Sequence, residues 1–130
     1  MLKAISTDNA PKAIGPYSQA IRAGNFLYVS GQLPINPKSG VFISNEIEDQ
    51  TKQCLANIEN IIIAAGFTKR DIVKCTVYML NLDNFQSMNL AYQLFFGDQK
   101  PARVTIEVSR LPKESLIEID AICHKEKSFS

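Results

Sequence analysis

Tryptophan is absent from this chain, histidine occurs once and cysteine three times. The single histidine, His124, stands beside Lys125 and reads as a solvated side chain, so zinc chemistry and a Ser-His-Asp triad both lack parts. Cys54, Cys75 and Cys123 lie far apart with no C-x-x-C pair, which suits free buried thiols better than a disulfide framework. No apolar run approaches the roughly 18 residues that span a membrane. The opening residues MLKAISTDNAPKAIG hold neither a signal-peptide stretch nor an Arg-rich presequence, and the chain reads as cytoplasmic. An excess of charge is missing too. Lys and Arg number 14 against 13 Asp and Glu, a formal charge of +1, so there is no electrostatic footprint of nucleic-acid binding.

What is present describes an ordinary folded unit. Hydrophobic residues make up 45% and charged residues 21% of the 130, which excludes global disorder. A chain of this length fits one domain, taken as 1–130, and buries roughly two-thirds of its unfolded surface. It needs neither metal nor disulfide to fold.

No repeat interrupts the sequence. YSQAIRA (17–23) and FLYVSGQ (26–32) flank Gly24-Asn25, a hairpin signal. PINPKSG (34–40) is a loop. A helix is expected from about Ile47 to Ala65, with Asn45 and Glu48 as a capping box and Gly66 as its stop. Leu55, Ile58, Ile62 and Ala65 form its apolar face; Gln50, Gln53, Asn57 and Asn60 lie on the other side. DIVKCTVYMLN (71–81) reads as a strand. A second helix follows, capped by Asp83 and ended by Gly97, with Phe85, Met88, Tyr92 and Phe95 as a core-packing stripe. ARVTIEVS (102–109) and SLIEIDAICH (115–124) complete the chain as two strands. The order is ββ-α-β-α-ββ, with a further N-terminal strand left open. It implies an α+β fold with two helices on one face of a mixed, mainly antiparallel sheet.

Residues two apart in a strand share a face. Val104, Ile106 and Val108 are thus expected toward the helices, as are Ile117, Ile119, Ala121 and Cys123, and Val73, Cys75, Val77 and Met79. The last two strands are expected to pair as a hairpin in the register that keeps their apolar sides together, which places Arg103, Thr105 and Glu107 on the opposite face with Glu118 and Asp120. That face is either solvated and laced with ion pairs, or a binding surface where Arg103 holds an anion beside Glu118. Leu116, Ile122 and Tyr78 make it too apolar for free solvent, and arginine suits bidentate carboxylate recognition. A half-apolar sheet face also argues for coverage by another subunit.

The segments GPYSQAI (15–21), YVSGQLP (28–34), MNLAYQLFF (88–96), PARVTIEVSRLPK (101–113) and IEIDAI (117–122) resemble the RidA/YjgF family of enamine/imine deaminases. The match spans essentially the whole chain, and Pro-Ala-Arg followed by Leu-Pro and Ile-Glu-Ile is its most specific part. The resemblance implies a chorismate-mutase-like fold and a homotrimer with ligand clefts at subunit interfaces. It also implies hydrolysis of 2-aminoacrylate, 2-iminopropanoate or 2-iminobutanoate to 2-keto acids and ammonia, without metal or organic cofactor. Such intermediates leave pyridoxal-phosphate enzymes acting on serine or threonine. By the same resemblance Arg103 clamps the substrate carboxylate and Glu118 positions the attacking water. Tyr17 covers the cleft, Ser30 and Gly31 line it, and Asn89 is either a ligand contact or a structural residue. Thr105 departs from the cysteine common there, which leaves water as the nucleophile. Two other readings stay open: a trimeric module that binds small 2-keto acids without turnover, and RNA cleavage or chaperone action.

Overall fold

In the computed structural model, which describes residues 2–126, the Gly24-Asn25 pair forms the expected tight turn. Gly24 sits at φ 62°, a left-handed value that glycine adopts without steric cost. The turn joins β2 (Ala20–Ala23) to β3 (Phe26–Gln32), and β1 (Leu2–Ile5) pairs antiparallel with β2. A strand at the extreme N-terminus is therefore present. Residues 17–19, expected in β2, lie in the loop before it.

Helix α1 (Ile47–Ala64) leads to β4 (Ile72–Met79), and helix α2 (Phe85–Phe96) to β5 (Ala102–Glu107) and β6 (Ile117–His124). Leu55, Ile58 and Ile62 of α1 are fully buried, each stabilising the fold by about 1.5–3 kcal/mol. The expected caps are replaced. Glu46, not Asn45, precedes α1, and the Ser44 hydroxyl accepts from the Glu46 N–H at 3.0 Å and donates to Asp49 Oδ2 at 2.9 Å. Before α2, a short turn over Leu82–Asn84 is held by Asn81, whose Oδ1 accepts from the Asp83 N–H at 2.9 Å. Phe96 rather than Phe95 is buried at the end of the α2 stripe, and Phe85 is 36% exposed.

The sheet order is β1-β2-β3-β6-β4-β5. Four of the five strand pairings are antiparallel, while β5 lies parallel to β4 across the α2 crossover. This mixed sheet with its helices has the expected fold class, but the final hairpin does not form. Instead β6 inserts between β3 and β4, and β5 becomes an edge strand.

That change reverses the faces of β5. Cys75 is in register with Arg103 and Val77 with Thr105, so both share the helix side with buried Cys75 and Val77. Val104 and Ile106 turn to the open face, 40% and 41% exposed. An edge strand only half covered by α2 places its polar residues beside the helix, so apolar alternation there does not report the core side. A bulge between Ile72 and Lys74 likewise buries Ile72 and exposes Val73. The open face carries Tyr28, Tyr78, Val104, Ile106, Glu118 and Asp120. No helix among the described residues is long and apolar enough to cross a membrane.

Candidate functional site

Glu118 is placed by β6, whose alternate residues Ile117 and Ile119 are fully buried. The parity leaves Glu118 on the open face, half-buried, two residues from Asp120. Removal from water is the larger cause that raises its pKa above the usual carboxylate value; the Asp120 charge adds to it. Asp120 is held by the Tyr78 hydroxyl, which donates to Oδ2 at 3.0 Å, and by the Thr76 N–H at 3.2 Å.

Gly31 lies against Glu118. A Cβ at Gly31 would overlap Glu118 Oε2 and sit 2.8 Å from its Cδ, so only glycine lets the carboxylate occupy this place. Ser30, next to it, is tied down by two bonds: its hydroxyl donates to the Ser18 carbonyl at 2.6 Å, and its N–H to the Gln19 carbonyl at 3.0 Å. These bonds tie the Tyr17 loop to β3. Buried Gln19 holds the same loop from behind, accepting from the Thr7 N–H at 2.8 Å and donating to the Pro11 carbonyl at 2.8 Å. Tyr17, 53% exposed, stands at the rim. Tyr17, Ser30, Gly31 and Glu118 thus line one cavity of about 650 Å³, joined by Lys113 and Ile14.

Arg103 is elsewhere. It lines a second cavity of about 430 Å³ with Asn89, Tyr92, Gln93 and Lys100. Its Nη1 donates to Asn89 Oδ1 at 2.7 Å. The guanidinium carbon lies 4.9 Å from the Tyr92 ring centre and 5.6 Å from that of Phe85. Thr105 follows on the same face, half-buried beside Val77.

The expectation that Arg103 and Glu118 share a face is overturned. They lie on opposite sides of the sheet, because β4 separates β5 from β6 and in-register neighbours share a face. Ala121 is level with Cys75 and hence with Arg103, so Glu118 is displaced by about 10 Å along the strands and about 10 Å across two strand spacings. A three- or four-carbon molecule cannot touch both within one chain.

Phe85 and Tyr92, expected as core, turn out to flank Arg103. Their spacing with Asn89 was the available signal: positions 85, 89 and 92 follow i, i+4, i+7 along one helix face. The cysteines are free and buried, and burial pushes Cys75 up to about 11 and Cys123 to about 12. His124 is half-buried, its ring 4.7 Å from that of Phe26, rather than solvated. Among the described residues no group of three or more His, Cys, Asp or Glu side chains is arranged to hold a metal ion.

The sequence model of one family, described as Endoribonuclease L-PSP, matches residues 7–125. The chain belongs to the RidA/YjgF family. A RutC family protein of Pyrococcus horikoshii is 56% identical to this RidA/YjgF chain over 126 residues, covering 97% of it and 100% of the relative. The 2-iminobutanoate/2-iminopropanoate deaminase of Escherichia coli K12 is 46% identical over 125 residues, covering 94% and 97%. The crystal structure of E. coli TdcF with bound serine superposes with a TM-score of 0.92 at 38% identity, over 95% of this chain and 99% of that one.

Proposed function

We propose that this RidA/YjgF chain is a cytoplasmic hydrolase that converts 2-iminopropanoate, 2-iminobutanoate and their enamine tautomers to 2-keto acids and ammonia. The observation that carries the reading is Arg103, whose polar partner is the neutral Asn89 amide, in a chain 46% identical to a named deaminase. A guanidinium so held has N–H groups left for a carboxylate. The substrate carboxylate binds there, which fixes the imine carbon. With the imine nitrogen protonated, Glu118 takes a proton from water as its oxygen attacks that carbon and the C=N π pair moves to nitrogen, giving a neutral carbinolamine. The same carboxyl group then gives the proton to nitrogen; the C–N bond breaks, ammonia leaves, and the carbonyl forms as the hydroxyl proton returns to the Glu118 carboxylate and passes from there to solvent. Thr105 contributes a hydroxyl to the cleft, and Tyr17, Ser30 and Gly31 shape its other wall.

The distance between Arg103 and Glu118 supports a site built from two copies. In a homotrimer, the cavity with Arg103 on one chain meets the cavity with Glu118 on the next. The open sheet face, with Tyr28, Val104 and Ile106 at 48%, 40% and 41% exposure, supplies apolar surface for that assembly.

In a coupled assay, threonine dehydratase generates the imine and 2-keto acid formation is followed against the uncatalysed background. Arg103→Ala is expected to erase the acceleration with the assembly intact by light scattering. An undiminished rate refutes the assignment.

The serine in TdcF favours one other reading, a module that holds small amino or keto acids without turnover. Glu118 argues against it, since holding an anion has no use for a neighbouring carboxylate. Calorimetric binding of 2-ketobutyrate with no rate acceleration would establish it. The RNA cleavage in the family description meets a chain of charge +1 with one histidine, features that do not suit it.

A further inference from the structure

We infer that Asn89, together with the Phe85 and Tyr92 rings, positions Arg103 through uncharged contacts, so that its full positive charge remains for an incoming carboxylate. The inference rests on the proposed role of Arg103 and adds a reason for the residues around it.

A half-buried arginine can be fixed in several ways. A carboxylate would hold it most firmly, because a charge-assisted bidentate pair is stronger than a neutral hydrogen bond. Such a partner would also occupy both prongs and cancel the field that attracts substrate. Here the grip comes from elsewhere. Asn89 Oδ1 takes one N–H, on Nη1, at 2.7 Å. The rings of Tyr92 and Phe85 lie 4.9 and 5.6 Å from the guanidinium carbon, and attract the cation through their quadrupoles without neutralising it.

The support beneath is uncharged as well. Tyr92 is 93% buried by its 7% exposure and packs on Phe96 with ring centres 4.7 Å apart. Its hydroxyl has no well-formed hydrogen bond among the described residues and faces Cys75. Burial raises the pKa of the Tyr92 hydroxyl well above its ordinary value and that of the Cys75 thiol to about 11, so both are neutral near physiological pH. Lys100, which lines the same cavity, adds positive potential. Three helix residues at i, i+4 and i+7 therefore build a neutral cradle on α2 for a cation on β5.

The test compares Asn89→Asp, Asn89→Ala and Arg103→Ala with 2-ketobutyrate as calorimetric probe, and KM and kcat in the coupled assay. Asn89→Asp keeps the acceptor atom but adds a charge that pairs with Arg103. It is expected to weaken 2-ketobutyrate binding by about tenfold or more and to raise KM with a smaller change in kcat. Asn89→Ala removes the acceptor and adds no charge, and is expected to weaken binding less, by about threefold. Binding by Asn89→Asp within twofold of the parent, or tighter than by Asn89→Ala, overturns the inference, since a purely geometric role needs only the acceptor. If Arg103→Ala binds the probe as well as the parent, the proposed function itself fails. If Arg103→Ala loses the probe while Asn89→Asp keeps it, only the cradle fails.

Discussion

Glu118 is costly to the fold in the state that the proposed reaction needs. Its folded pKa lies above the unfolded value, chiefly because the carboxylate loses water. The folded state therefore binds its proton more tightly than the unfolded chain does. The associated stability is present below the unfolded pKa and is lost as pH rises through the raised folded one. Glu118→Gln removes this loss, so at neutral pH its melting temperature should exceed that of the parent, while turnover falls by about 10²-fold or more. At about pH 4 and below the two midpoints should converge, because the parent's carboxyl group is then protonated. Melting curves at both pH values decide it, and equal midpoints at neutral pH refute a burial cost. The residues around Glu118 were legible by kind. Gly31 stands where a Cβ would overlap the carboxylate, and Ser30 ties down the Tyr17 loop. The place of Arg103 was not legible, because one strand's parity cannot say whether its apolar side faces the helices.

At the scale of elements, α1 reads from sequence as an amphipathic helix, and its apolar face is buried as expected. Its second side is not wholly solvated. Gln50 and Asn57, expected on the polar side, are 1% and 0% exposed. Gln50 Oε1 accepts from the Leu116 N–H at 3.0 Å and its Nε2 donates to the Ser44 carbonyl at 2.8 Å. Asn57 Nδ2 donates to the Leu33 and Ile35 carbonyls at 3.1 and 3.0 Å. The Asn57 bonds hold the start of the loop after β3 against the helix. A polar residue on a helix looks the same in sequence whether it meets water or a folded-over loop. Both Leu33 and Ile35 line the cavity that holds Glu118, so the clamp also shapes the candidate site. Asn57→Ala leaves two carbonyls without this donor and should cost about 2–3 kcal/mol, read from the urea midpoint. An unchanged midpoint would show that water replaces the amide freely.

For the whole molecule, the decisive fact is topological. Pairing β6 between β3 and β4 sends β5 to the edge, and puts Arg103 and Glu118 on opposite faces. Two equal hairpins at the chain's ends would have been a simpler reading, yet the α2 crossover demands a parallel neighbour for β4, a long-range choice that local patterns do not encode. If neighbouring copies share each site, two inactive variants should rescue one another. Arg103→Ala chains keep Glu118, and Glu118→Gln chains keep Arg103. After unfolding and refolding together in equal amounts, a site is intact only where an Arg103-bearing chain presents its half to a Glu118-bearing one. Random assembly of a ring gives about one intact site in four, so activity should return to about a quarter of the parent rate. Each variant refolded alone should stay at background. A site contained within a single chain predicts no recovery in the mixture, since every chain then lacks one of the two groups. Recovery without a change in oligomer size would thus place the two residues on different copies, and its absence in well-mixed assemblies would refute a site shared between copies.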